Sequence, residues 1–174
     1  MRNLEIKART DDLKRLHNIA ANLGAAPGGK HRQVDTYFKT PNGRLKLRES
    51  SMTGNELIAY FRPDGTQAAE CEYERLRVQD ATRLKKALER TIGISVVVVK
   101  DRELYRLNNV RIHLDEVEKL GDFIELEVEL DEMTPTHNPD AEIMIRELIQ
   151  AFDIKPEDMV ECSYADLLSR HGEV

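Results

Sequence analysis

The sequence predicts an α+β fold: a closed eight-stranded antiparallel β-barrel with a charged interior, flanked by amphipathic helices. Three observations predict it. Eight stretches of strand character, set apart by turn signals, are enough to close a barrel. Several of them alternate strictly between charged and apolar residues, which sorts the two kinds onto opposite faces of a strand. Stripes of apolar residues at helical spacing can cover the apolar faces from outside, which leaves the charged faces to line the interior.

In chain order, residues 2–9 read as a strand, with Asn3, Glu5 and Lys7 opposite Leu4, Ile6 and Ala8. A helix follows, capped by Thr10 or Asp11, with Leu13, Leu16, Ile19, Ala20 and Leu23 as its stripe and Gly24 as its stop. Ala25 to His31, which holds Pro27-Gly28-Gly29, reads as a loop. Strands are expected near 33–39, 44–50 and 56–62, divided by Pro41-Asn42-Gly43 and Thr53-Gly54-Asn55, and again at about 70–78. Asp80 caps a second helix with the stripe Leu84, Ala87, Leu88 and Ile92, ending at Gly93. Long strands at about 95–106, 109–118 and 122–131 are punctuated by Asn108-Asn109 and Gly121-Asp122. Pro139 starts a third helix carrying Ile143, Leu148, Ile149 and Phe152, and a short helix begins near Ser163.

Composition narrows the class. The 174 residues suit one domain over 1–174, with 40% hydrophobic and 33% charged residues, so a globular, charge-rich protein is expected. A net charge of -6 argues against nucleic-acid binding, although a local cationic pocket is compatible with it. No run nears the roughly 20 apolar residues of a membrane helix, and the start has no secretory apolar region. Cys71 and Cys162 read as two reduced thiols. A cytoplasmic protein without membrane contact is the expectation, with a homodimer as one way to cover apolar outer strands.

The charged faces carry the chemistry. Arg44, Lys46 and Arg48 share one face; Arg62 shares parity with Tyr60 and Ile58; Lys100, Arg102 and Arg106 share another; Arg111, His113 and Asp115 a fourth. Arginine forks and lysine point charges suit phosphate oxygens. Glu5, Asp115, Glu125 and Glu127 form an anionic set suited to Mg²⁺ or Mn²⁺, which take oxygen ligands and bridge to phosphates. For any one charged side chain, solvent exposure is the simpler account, and Arg9, Arg75, Arg77 and Arg146 are assigned to it, as is a packed role to His113. Glu129 and the Glu70, Glu72, Glu74 set read as structural. For the inward set as a whole exposure explains less, because the opposite face of each strand is consistently apolar. Two like charges about 4 Å apart repel by roughly 4 kcal/mol at an effective dielectric near 20. Such an interior therefore needs facing counter-charges, water or a ligand. The sequence contains no phosphate-loop motif, serine elbow, zinc spacing or dinucleotide fingerprint.

At these residues the chain resembles the CYTH superfamily, the triphosphate tunnel metalloenzymes, nearest its class IV adenylate cyclase-like branch. The resemblance rests on Asn3-x-Glu5-x-Lys7, Leu45-Lys46-Leu47-Arg48, Tyr60-Phe61-Arg62, Val99-Lys100-Asp101-Arg102, Leu114-Asp115, Gly121-Asp122-Phe123-Ile124-Glu125-Leu126-Glu127 and the ending Ser163-Tyr164-Ala165-Asp166-Leu167-Leu168. It implies that Glu5, Asp115, Glu125 and Glu127 hold Mg²⁺ or Mn²⁺. It also implies that Lys7, Lys46, Arg48, Arg62, Lys100 and Arg102 hold the triphosphate, with Arg44, Arg106 and Arg111 as additions, and that Glu5, Lys7 and Glu125 are catalytic. The implied activity is adenylate cyclase, ATP to cyclic AMP and pyrophosphate. The alternatives are an inorganic or thiamine triphosphatase, acting on tripolyphosphate or thiamine triphosphate, and a non-catalytic binder of a phosphorylated ligand. One departure is Asn3, where the family motif has Glu; it removes a negative charge, which weakens the metal site or reduces it from two ions to one.

Overall fold

The computed structural model describes residues 2–61, 69–130 and 138–170. Its elements in chain order are β1 (Arg2–Thr10), α1 (Leu13–Asn22), β2 (Ala26–Phe38), β3 (Arg44–Ser50), β4 (Gly54–Phe61), β5 (Ala69–Arg77), α2 (Ala81–Thr91), β6 (Ile94–Leu107), β7 (Val110–Val117), β8 (Gly121–Leu130), α3 (Pro139–Ala151), a 3₁₀ turn at Pro156–Asp158 and α4 (Tyr164–Arg170). The strands close in the order β1-β5-β4-β3-β2-β6-β7-β8, and every neighbouring pair is antiparallel. Residues opposite one another across an antiparallel pair share a face. The registers Lys7 to Glu125, Glu5 to Glu127, Arg102 to Asp115 and Arg111 to Glu127 therefore put these charges on one side together. That side is the lumen.

The apolar residues pack in three clusters, two of which cover the outward parity. Helices α1 and α3 lie over β1, β7 and β8, where Leu16, Ala20, Ile145, Leu148 and Phe152 pack on Ile6, Ala8, Ile112, Leu126 and Val128. Helix α2 covers Phe38 and Leu47 with Ala81, Leu84 and Leu88. The third cluster is different in kind. Tyr164, Ala165 and Leu168 of α4 pack on Tyr37, Ile58, Tyr60, Val96, Val98 and Phe123. These positions share parity with the charged residues of their strands, so α4 closes one end of the barrel.

Two local expectations are corrected. Asp12, not Thr10 or Asp11, caps α1: its Oδ1 accepts from the Arg15 amide at 2.8 Å, while Thr10 Oγ1 accepts from the Asp12 amide. The stretch 26–31 is the start of β2, not a loop. It pairs with β6 from Ala26 opposite Arg106 to His31 opposite Arg102, with a register shift at Gly28. Pairing with β3 begins only at Gln33, so Pro27 sits where β2 has a single neighbour and no second ladder bond is lost. Arg62 lies outside the described residues. Among the described residues no helix is long and apolar enough to cross a membrane.

Phe152 is fully buried where α3 meets α1 and the barrel, and its carbonyl accepts from Arg15 Nη1 at 3.1 Å. Phe152→Ala is expected to cost about 3–5 kcal/mol of unfolding free energy through lost transfer and a residual cavity, read as a lowered urea midpoint with an unchanged slope.

Candidate active site

The lumen holds a cavity of about 250 Å³ lined by inward residues of the strands and by Ser163 and Tyr164 at the α4 end. Its walls form a lattice of opposed charges. Asp35 is gripped by Arg48 through two bonds, Nε to Oδ1 at 2.7 Å and Nη2 to Oδ2 at 2.6 Å, and by Lys46 Nζ at 2.9 Å. Asp115, wholly shielded from solvent, accepts from Lys100 at 2.9 Å, from the Arg102 fork at 2.6 and 2.5 Å, and from the Tyr164 hydroxyl at 2.9 Å. Glu125 pairs with Lys7 at 2.5 Å and also with Arg102. Glu127 pairs with Arg111 at 2.7 Å.

Eight lining cations (Lys7, Lys46, Arg48, Arg75, Lys100, Arg102, Arg106 and Arg111) thus face five lining carboxylates and the buried Asp115 beneath them. Among the described residues Glu129 offsets Arg106 and Arg111 at the rim, so the surplus lies on β3 and β6, where Lys46 and Arg48 share Asp35 and Lys100 and Arg102 share Asp115, four cations on two carboxylates. An anion carrying about two net charges completes it. A triphosphate of about four negative charges with one divalent cation is such an anion.

The same lattice sets the protonation states. Burial alone would raise the Asp115 carboxyl, but Arg102 and Lys100 outweigh it and hold the group at about 2. Burial would likewise raise Asp35 and Glu125; Arg48 and Lys46 pull the first far down, and Lys7 and Arg102 pull the second well below the usual carboxylate range. Lys100 goes the other way. Burial and then the Arg102 guanidinium push its ammonium down to about 8, against the pull of Asp115.

The residues named from sequence fall into distinct places. Lys7, Lys46, Arg48, Lys100, Arg102, Glu5, Glu125 and Glu127 line one continuous cavity. Arg111 joins them, and Arg106 lies at the rim, half-exposed, 3.5 Å from Glu129. Arg44 is turned to the end of the barrel, where it meets Asp166 of α4 at 2.8 Å and lies over the Tyr60 ring. Asp115 sits deeper than the three glutamates, its oxygens already engaged by four donor groups on Lys100, Arg102 and Tyr164. Arg75, assigned from sequence to the exterior, lines the cavity instead, beside Glu56 at 3.9 Å and Tyr73 at 3.4 Å. The parity of β5 turns Arg75 inward with Tyr73, and the alternation of Tyr73, Arg75 and Arg77 with the glutamates does not say which face that is.

Sequence reasoning passed over Asp35, although Gln33-Val34-Asp35-Thr36-Tyr37 alternates as the others do. It gave His113 a packed role. His113, Glu125 and Glu127 offer ligand atoms within 4.8 Å of one another. Asn3 stands beside them: its amide donates to Glu5 at 3.2 Å and to Glu127 at 3.3 Å, while its Oδ1 is buried with no hydrogen-bond partner. The carboxylate oxygens and one imidazole nitrogen, with the Asn3 amide beside them, form a donor set that fits a hard divalent cation of the Mg²⁺ or Mn²⁺ kind.

Comparison with known proteins agrees with this geometry. The CYTH domain model matches residues 1–161. A protein of Methanocaldococcus jannaschii named "Putative adenylate cyclase" is 25% identical over 177 aligned positions, covering 96% of this chain and 98% of that one. A protein of Pyrococcus horikoshii OT3 superposes with a TM-score of 0.80 at 27% identity, over 95% of this chain and 98% of its own. A Hippeastrum protein described as a "Putative adenylyl cyclase" with a dominant triphosphatase activity shares the fold, with a TM-score of 0.63 at 13% identity over 99% of this chain and 96% of its own.

The lowered Lys100 gives a pH dependence. Its folded pKa of about 8 lies below the ordinary lysine value of 10.5, so the unfolded chain binds the proton more tightly. This group's contribution to stability therefore rises with pH between those two values. Anion binding runs opposite, because the neutral amine attracts phosphate less. Tripolyphosphate affinity, followed by titration calorimetry, is expected to fall several-fold from pH 7 to pH 9 with proton uptake on binding, and Lys100→Met should flatten both.

Proposed function

The chain belongs to the CYTH domain family, and on that premise we propose that it is a divalent-metal-dependent enzyme that converts ATP to cyclic AMP and pyrophosphate. The observation that carries the reading is the lumen itself: a cavity with surplus cations on β3 and β6 facing a carboxylate cluster on β1 and β8. The relative named for adenylate cyclase activity covers nearly the whole chain and supports the choice of reaction.

Lys46, Arg48, Lys100 and Arg102 hold the triphosphate and spread the charge that grows on the leaving pyrophosphate. Glu5, Glu125, Glu127 and His113, with the Asn3 amide beside them, are the groups that would hold Mg²⁺ or Mn²⁺. When bound, that ion supplies Lewis-acid polarisation and charge neutralisation at the phosphates. Asp115, read from sequence as a further ligand, is assigned to fixing Lys100 and Arg102, since its oxygens are already taken. Lys7 holds Glu125 in place. In the reaction the ribose 3′-oxygen forms a bond to the α-phosphorus as the bond from that phosphorus to the β-bridging oxygen breaks. Glu5 takes the hydroxyl proton as general base. No covalent intermediate with the chain is required, and positioning supplies much of the rate.

The second reading is hydrolysis of a triphosphate, in which the same groups direct water at the terminal phosphorus. A dominant triphosphatase activity is ascribed to the Hippeastrum protein, which has the same fold. Product analysis separates the two. Purified protein is incubated with ATP, thiamine triphosphate and tripolyphosphate, each with Mg²⁺ and with Mn²⁺. Cyclic AMP and pyrophosphate are expected from ATP; orthophosphate as the main product would move the assignment to a triphosphatase. Turnover of none of them, with retained triphosphate binding, would leave a non-catalytic binder.

Two substitutions extend the test. Glu127→Gln is expected to lower kcat by roughly 100-fold or more while metal-free tripolyphosphate binding persists. Asn3→Glu replaces a donor between Glu5 and Glu127 with a further carboxylate. It should lower the thermal midpoint of the metal-free protein and enlarge the stabilisation gained on adding Mn²⁺.

A further inference from the structure

The end of the tunnel away from α4 carries polar side chains that the charge lattice leaves unspent. His31 and Gln33 of β2 line the cavity there, only 6% and 4% exposed, and their Nε2 atoms lie 2.8 Å apart. His31 Nδ1 and Gln33 Oε1 are both buried without a hydrogen-bond partner. With the Gln33 amide donating to the imidazole, its Oε1 and second N–H remain unused. With the amide reversed, its N–H groups and the Nδ1 lone pair remain. In the first arrangement a donor and an acceptor stay side by side on the one amide.

Two further features mark the place. Burial and then Arg102, Arg48, His113 and Lys100 lower the His31 pKa, so its imidazole is neutral and is no addition to the phosphate-holding cations. Apolar side chains flank it: Leu104 and the largely exposed Met52 also line the cavity. They pack close over a glycine pair on β2. A Cβ on Gly28 would meet Leu104 Cγ at 2.8 Å, and one on Gly29 would meet Met52 Sδ at 3.3 Å. A neutral hydrogen-bonding pair beside apolar side chains, at one end of a cationic tunnel, suits a flat heteroaromatic ring better than another phosphate.

We propose that His31 and Gln33 form the subsite for the organic group of the substrate, and that this group is an adenine-type purine whose adjacent donor and acceptor pair with Gln33, with Met52 and Leu104 against the ring. A glutamine amide matches the adjacent donor and acceptor of adenine, and His31 fixes the amide's orientation. The proposal rests on the triphosphate reading of the tunnel and adds the residues that recognise what the triphosphate carries.

The test compares binding of ATP, UTP and inorganic tripolyphosphate to the full chain by titration calorimetry. The wild type should bind ATP at least about tenfold more tightly than UTP; equal affinities overturn the proposal. Gln33→Leu and the milder Gln33→Met should weaken ATP by about tenfold while tripolyphosphate changes by less than about twofold. His31→Phe should do the same by releasing the amide. Equal loss for ATP and tripolyphosphate would make the pair a prop of the cation lattice and overturn the subsite. Unchanged binding of both would overturn it as well. Failure of the wild type to bind any of the three would overturn the triphosphate reading itself, a result distinct from loss of base preference alone.

Discussion

Opposed charge sealed inside a closed sheet is the constraint on which the rest of this structure depends. Asp35 and Asp115 are removed from water, and each is tolerable only because two cations bind it directly. Taking away one member of such a buried set costs about 3–5 kcal/mol, since the remaining charge is left uncompensated. The strands must therefore hold their registers. A slip of one residue would turn every one of these groups outward and bring Leu4, Ile6, Leu45 and Leu126 into the lumen. Register, helix cover and charge pairing all depend on one another.

The lattice also explains the asymmetry of the tunnel. At one end α4 brings Tyr164 over Lys7 and Lys100, with its ring centroid 4.3 and 4.9 Å from the two ammonium groups, and donates its hydroxyl to Asp115. Arg44 fastens the same helix through Asp166. That end is closed by aromatic side chains, with Tyr37, Tyr60, Phe123 and Tyr164 in one buried cluster. The other end keeps Arg106 at the rim and the neutral His31–Gln33 pair. Charge is thus graded along the lumen, with well-paired cations deep inside and less committed groups toward the opening. A polyanion entering from that side meets donors already oriented, so little reorganisation is needed on binding.

Much of this was legible in the sequence because a strand writes its two faces as alternate letters. Asn3 to Ala8, Arg44 to Arg48 and Phe123 to Leu130 each gave the lumen and the outer face directly, and the barrel followed from their number and from helices able to cover one side. Where the alternation was broken by a strong local signal, it misled. Pro27-Gly28-Gly29 reads as a loop by its own chemistry, yet β6 offers a long partner and the irregularity is absorbed as a bulge. Arg75 and Arg77 alternate with Glu70, Glu72 and Glu74, and which of these two faces turns inward is set by pairing with β4, a distant partner. Asp115 and His113 share a parity with Arg111, so sequence placed them all in the lumen. Their depths differ because the registers of β6 and β8 set Asp115 beside Arg102 and His113 beside Glu125, a distinction made by neighbours distant in the chain.

The central claim is that surplus cations in the lumen hold a triphosphate against a carboxylate-bound metal. A crystal structure of the chain grown with tripolyphosphate and Mn²⁺, with anomalous scattering to place the metal, tests it most directly. The account predicts phosphate density inside the barrel in contact with Arg48, Lys100 and Arg102, and an anomalous peak within coordination distance of Glu125 and Glu127. Phosphate and metal bound only on the outer surface, with the lumen lattice unchanged, would contradict it.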